Sequence, residues 1–216
     1  MIVSRNEIES LALKAARGAG MSWGLAEEAS FAAGWLAEHA LPWADTLLGV
    51  LVTPAHTTSP PQIMEQRIAP SRPGTRLCPI MTGALLSDLG APATIMEVRD
   101  VLAPLWLVPF LASWTAPGRG VRLGWSDARF LLAHTDVVGT DTVATAVLAA
   151  AVADRVAIAL EPIEGSEESR PRREPSGYVA PDHAWHTLQQ LEHRTYVPAS
   201  AESRLAGAGA GLTDND

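Results

Sequence analysis

A chain of 216 residues, 47% apolar and 19% charged, is long enough to bury a sizeable core in one domain, or in one domain with an added subdomain. Sixteen basic against 24 acidic residues leave a formal charge of −8, and the one basic run, Arg170-Pro171-Arg172-Arg173, is answered locally by Glu167, Glu168 and Glu174. Nucleic-acid binding is therefore not expected, since it needs a basic surface that displaces counterions from phosphates.

The opening, "MIVSRNEIES", offers no basic segment ahead of an apolar run, so no signal peptide is expected. The most apolar stretches, Val101–Ala116 and Val143–Leu160, are broken by Pro104 and Pro109 and by Asp154 and Arg155. A spanning helix wants about 20 uninterrupted apolar residues, so both read as core and no membrane contact is expected. One cysteine, Cys78, leaves no intramolecular disulfide and suits a reducing compartment, which points to the cytoplasm. All the basic residues but Lys14 are arginine, and with abundant Ala and Gly this suggests a GC-rich bacterial source.

In chain order, Ser4 and Glu7 form a capping box, and Ile8, Leu11, Ala15 and Ala19 follow at helical spacing until Gly18 and Gly20. Ser22 caps a second helix, with Glu27 and Glu28 near its positive end, and Leu25, Ala29, Ala32, Ala33 and Leu36 on one face. Trp23, Phe31 and Trp35 add bulk. Pro42 suits the first turn of a third helix running to Leu51. These Ala-rich faces predict a tight helical hairpin. Thr53–Thr75 has five prolines and little periodicity and reads as an extended loop, with His56, Thr57 and Thr58 making it the candidate lid over any cleft.

Thr94–Ala103 alternates and is β-branched, which predicts a strand. "PLWLVPFLASW" predicts a buried helix kinked at Pro109. "VRLGW" and "ARFLLAH" predict two strands joined at Ser126-Asp127. Asp141–Ala151 fits a short helix or an apolar strand, and Arg155–Ile163 is a strand. Glu164–Gly177 reads as a charged linker. Pro181 opens a last helix through Arg194, with Trp185, Leu188 and Leu191 inward. Helices, then strands, then a helix predict an α+β fold with a mostly antiparallel mixed sheet. The organisation expected is a core over residues 1–163, a linker over 164–177, and a C-terminal helix and tail over 178–216 packed on the same core.

Few side chains gather in a reactive pattern. His134-Thr135-Asp136 follows a strand, where a histidine near carboxylates could form a metal site or act as a general base; polar turn residues at a strand end are the simpler account. His183, His186, Gln190 and His193 share one face of the last helix, which reads as solvated polar surface, and no metal is assigned. Cys78 before Pro79 reads as a small buried hydrophobe. Glu97, Arg99 and Asp100 suggest cross-strand charge pairing on a sheet face. "GAGAG" at Gly207–Gly211 has no helix after it, so it is not a dinucleotide loop. No cofactor is identified.

The tail "RLAGAGAGLTDND" combines a Gly/Ala spring, Leu212 and the acidic tip Asp214-Asn215-Asp216, with Arg194, Tyr196, Ser200 and Arg204 upstream. It reads as a docked segment, and these residues are the candidate binding groups. Two stretches, "ARGAGMSWGLAEEA" and "RTYVPASAESRLAGAGAGLTDND", resemble a bacterial family of about this length known only as a domain of unknown function. The resemblance marks the tail as a family hallmark and carries no activity with it. "EIESLALKAARGAGMSWGLAEEAS" is also similar to the N-terminal helices of the malate/L-lactate dehydrogenase family that binds NAD outside the Rossmann fold. That family continues with Ser-His-Gly, where this chain has Ala40-Leu41-Pro42.

Two roles follow as expectations. The first is a binding or accessory protein for a small molecule or a protein partner, with a homodimer possible, whose tail completes a pocket or an interface. The second is a small-molecule enzyme using acid-base or metal chemistry, drawing on His134, Asp136, Tyr196, Asp214 and Asp216.

Overall fold

The computed structural model describes residues 1–92, 94–134, 136–141, 149–163 and 177–196. After a short strand β1 (Ile2–Val3), α1 (Arg5–Gly18) starts at the capping box: Ser4 N donates to Glu7 Oε2 at 2.7 Å, and Glu7 N donates to Ser4 Oγ at 3.3 Å. α2 (Trp23–Glu38) is capped by Ser22, whose Oγ accepts from Leu25 N. Ala12, Ala15 and Ala16 of α1 and Ala26, Ala29, Ala32 and Ala33 of α2 are buried, which brings the two backbones close and forms the expected hairpin. Pro42 precedes α3 (Trp43–Val52).

Thr53–Thr75 departs from the expected loop. A 3-10 turn at Ala55–Thr57 leads into an antiparallel hairpin of β2 (Pro61–Met64) and β3 (Arg67–Pro70), turned at Glu65 with φ +48° and at Gln66. Prolines masked this signal, yet Pro61 begins an edge strand and Pro70 ends its neighbour, where a missing N–H costs least. Ile63 opposite Ile68 supplies the apolar pair.

α4 (Pro79–Leu89) follows, with Pro79 in its first turn, and then β4 (Met96–Leu102). The expected kinked helix is three pieces: a 3-10 turn Pro104–Leu107, α5 (Val108–Leu111) and a 3-10 turn Ala112–Trp114. Pro104 opens the first piece, where a missing N–H costs nothing, and Pro109 lacks the N–H that a continuous ladder would need, so the helix is segmented rather than bent. β5 (Arg119–Trp125) and β6 (Ala128–Ala133) meet at Ser126-Asp127, with Ser126 at φ +47°. β7 (Asp136–Asp141), β8 (Val152–Pro162), β9 (Tyr178–Val179) and α6 (Asp182–His193) complete the described chain. Asp141 thus closes a strand. The linker residues 164–176 and the tail from Val197 lie outside the described residues.

The fold is α+β, as expected. The main sheet runs β2-β3-β4-β8-β5-β6-β7, antiparallel except for β3–β4, and β1 pairs with β9. Val98, Val121, Leu123, Phe130, Leu132, Val156 and Ile158 form one core with Leu36, Leu47, Trp106 and Leu188 of the helical side. Trp106 Nε1–H donates to the buried Thr46 Oγ1 at 2.8 Å, satisfying both polar groups inside it. α6 lies so close to α1 that a Cβ added at Gly18 would stand 1.8 Å from the Leu191 carbonyl oxygen.

Candidate functional site

With one sheet face in the core, period-two alternation sends Arg67, Glu97, Arg99, Arg122, Arg129 and Arg155 to the other. Strand register then aligns them. Arg67 stands opposite Glu97, Glu97 opposite Ala157, Ala157 opposite Gly124, and Gly124 opposite Arg129, a row across five strands. In the next row Arg99 stands directly opposite Arg155. Two like charges so placed repel and need a counter-charge.

Glu97 supplies it. Its Oε2 lies 3.1 Å from Arg99 Nε and 3.9 Å from Arg67 Nε, and its Oε1 is bound by Arg155 Nη2. Three guanidinium groups to one carboxylate leave two positive charges in the cluster. The Glu97 side chain is 21% exposed whereas those of Arg67 and Arg155 are 53% and 57% exposed, so the carboxylate is the inner member and the cations face outward. Beside them opens a hollow of about 680 Å³ lined by Met64, Glu65, Gln66, Arg67, Ile95, Glu97 and Arg155. The β2–β3 hairpin, expected as a lid loop, is one wall of it. Met64 and Ile95 are exposed apolar side chains on the same rim.

The residues expected to carry chemistry lie elsewhere. His134 sits at φ +52° in the turn between β6 and β7, and Asp136 is the first residue of β7. Tyr196 is on the helical side, its hydroxyl donating to Glu192 Oε1 at 2.7 Å, while Lys14 Nζ donates to the same oxygen at 2.9 Å. Burial pushes the Glu192 carboxyl up, but the hydrogen bonds from Lys14 and Tyr196 outweigh it and hold it below its usual range. The bond to Glu192 raises the Tyr196 phenol. The chain's single lysine thus clasps α6 to α1, and Tyr196 braces the same carboxylate from the end of α6. Arg194 ends α6 and is exposed. Ser200, Arg204, Asp214, Asn215 and Asp216 lie outside the described residues.

His183 Nε2 pairs with Asp45 Oδ1 at 2.8 Å, and His186 Nδ1 is 3.3 Å from Gln189 Oε1, both on exposed surface. Among the described residues no three His, Cys, Asp or Glu side chains are placed to hold a metal ion. Cys78 caps α4, and burial pushes its thiol up, so it is held protonated rather than activated. Glu97 makes the expected cross-strand pairs, to Arg67 and Arg155, whereas its contact with Arg99 lies within β4. Asp100 is not part of this pairing: at φ +50° it breaks the alternation, and its carbonyl accepts from Leu77 N at 2.8 Å. Sequence reading missed Arg67 and Arg155, which reach Glu97 only through strand order.

The fold and site define an α+β protein with a charged hollow, edged by Arg67 and Arg155 and by Glu65 and Glu97, on an open sheet face. Residues 3–72, from α1 to the end of the β2–β3 hairpin with Arg67, match a family described as a protein of unknown function, DUF3726. The stretch "ARGAGMSWGLAEEA" falls within that span. No curated protein and no solved structure matches the chain.

Proposed function

We propose that the protein binds a small anionic molecule through Arg67, Arg99 and Arg155, a binding or accessory role in the bacterial cytoplasm. The observation that carries this reading is the gathering of three guanidinium groups around one inner carboxylate, two of them, Arg67 and Arg155, lining with Glu65 a hollow of metabolite size. The planar arginine fork matches carboxylate and phosphate oxygens in pairs, and Glu97 holds the guanidinium groups in place before a ligand arrives. The tail enters the same reading as an internal competitor. Asp214 and Asp216 carry the charge these arginines attract.

Isothermal titration with inorganic phosphate and citrate tests the reading. Arg155→Ala and Arg67→Ala should each weaken binding about tenfold, the loss expected for one hydrogen bond to a charged group. Arg5→Ala, on the helical side, should leave it unchanged. Binding equally tight in the Arg67 and Arg155 variants, or no binding of either anion to the parent, would overturn the proposal.

A further inference from the structure

The hollow beside Glu97 is lined by charges of both signs, and they are not arranged alike. Arg67 and Arg155 enter its wall from β3 and β8, and both are turned to Glu97. Glu65 enters from the β2–β3 turn and is exposed. Among the described residues no ion pair or hydrogen bond engages the Glu65 side chain, so its charge is left uncompensated at the hollow. The turn does not itself ask for a glutamate. Glu65 holds φ +48°, a left-handed conformation that Gly or Asn takes at less cost. Met64 and Ile95 add exposed apolar surface to the same wall.

Such a wall disfavours a plain anion. Whatever acidic group the guanidinium groups attract, Glu65 repels, and a neutral glutamine at that position would serve a plain anion better. Building on the anion-binding reading, we infer that the ligand's acidic group belongs to a small zwitterion of the amino-acid class with an apolar side chain. Its carboxylate meets the forks of Arg67 and Arg155, which present paired donors to paired oxygens. Its ammonium group, a donor with no acceptor of its own, meets the free carboxylate of Glu65. Its side chain lies against Met64 and Ile95 and covers apolar surface that is otherwise left in water. The described lining carries two cations, Arg67 and Arg155, and two anions, Glu65 and Glu97, which matches a ligand whose own charges cancel. Glu65 is then the residue that separates an amino acid from the acid lacking its amine.

Isothermal titration of the full chain with leucine, 4-methylpentanoate, 3-methylbutylamine and glycine tests this, with inorganic phosphate as the plain anion. Leucine differs from 4-methylpentanoate only in the ammonium group, from 3-methylbutylamine only in the carboxylate, and from glycine only in the side chain. Leucine should bind the tightest of the four. Glu65→Gln should weaken leucine about threefold to tenfold and leave 4-methylpentanoate and phosphate unchanged or tighter. A general disturbance of the hairpin would move all of them in one direction. The zwitterion is overturned if 4-methylpentanoate or glycine matches leucine, if Glu65→Gln shifts leucine and phosphate alike, or if the parent binds phosphate and not leucine. Phosphate binding that still depends on Arg155 would in each of those cases leave the anion site standing. If neither phosphate nor leucine nor 4-methylpentanoate binds, both readings fall.

Discussion

Glu97→Gln keeps the shape of the carboxylate and removes its charge, so it isolates what the arginine cluster costs the fold. Glu97 contacts three guanidinium groups. Exposed pairs contribute about 0.2–1 kcal/mol each, and the partial burial of Glu97 places these toward the upper end, giving about 1–2 kcal/mol for the set. Its loss also leaves Arg99 and Arg155 facing each other unscreened across the β4–β8 pair. For a chain of this size 1 kcal/mol moves Tm by about 2–4 °C, so the variant should melt roughly 3–6 °C lower at low ionic strength.

Two further effects separate this explanation from simple loss of packing. Added sodium chloride should narrow the gap, because at 0.1 M the screening length is about 10 Å and repulsion between solvent-facing guanidinium groups falls. Phosphate or citrate should narrow it further at equal ionic strength, since the variant's cluster carries three uncompensated charges instead of two. Differential scanning calorimetry in a zwitterionic buffer, with each anion titrated in, reads all three. A variant that melts with the parent, or a Tm deficit that neither salt nor phosphate reduces, would refute the cluster as a strained cationic site.

Gly18→Ala drives a methyl into the Leu191 carbonyl and should destabilise by about 3 kcal/mol or more, with a Tm fall of at least roughly 6 °C; an unchanged Tm would show that α1 and α6 are not in this contact. Burial, with Asp88 and Glu27 nearby, raises the Glu28 carboxyl, so the fold favours its protonated form and loses that contribution as pH rises through the raised value. Glu28→Gln should therefore raise Tm at pH 7 and give no gain below pH 4, under the ordinary value of 4.5; a gain constant with pH would dismiss this cause. Deleting Leu212–Asp216 should tighten phosphate binding at low salt if the acidic tip competes for the arginines, and identical affinities would remove the tail from the site.

The local elements were legible because their signals are local. The Ser4–Glu7 box, the Ser22 cap, the β5–β6 turn at Ser126 and the apolar face of α6 each rest on residues within a few positions. The β2–β3 hairpin was hidden because turn-forming prolines also occupy edge strands, and only pairing shows which they do. The site was half visible: Glu97 and Arg99 alternate on one strand, which announces a charged face. What makes them a site is Arg67, brought in by the parallel β3–β4 pair, and Arg155, brought in by β8, which returns between β4 and β5. No periodicity within a segment encodes that order. It follows from which strands bury the most apolar surface together, and that is a property of the whole chain.

The net charge of −8 bears on how such a site can work. An acidic protein repels anions at a distance, so long-range steering does not bring the ligand in, and capture depends on contact geometry. Placing five of the chain's arginines, Arg67, Arg99, Arg122, Arg129 and Arg155, on one sheet face reverses the sign within a few ångströms of the hollow. Raising the ionic strength then has opposed effects. It weakens the arginine contacts, and it also screens the repulsion from the acidic remainder of the surface. A basic protein offers only the first effect. A weak salt dependence of anion affinity is therefore consistent with arginines in direct contact with the ligand, and it is not evidence against an electrostatic site.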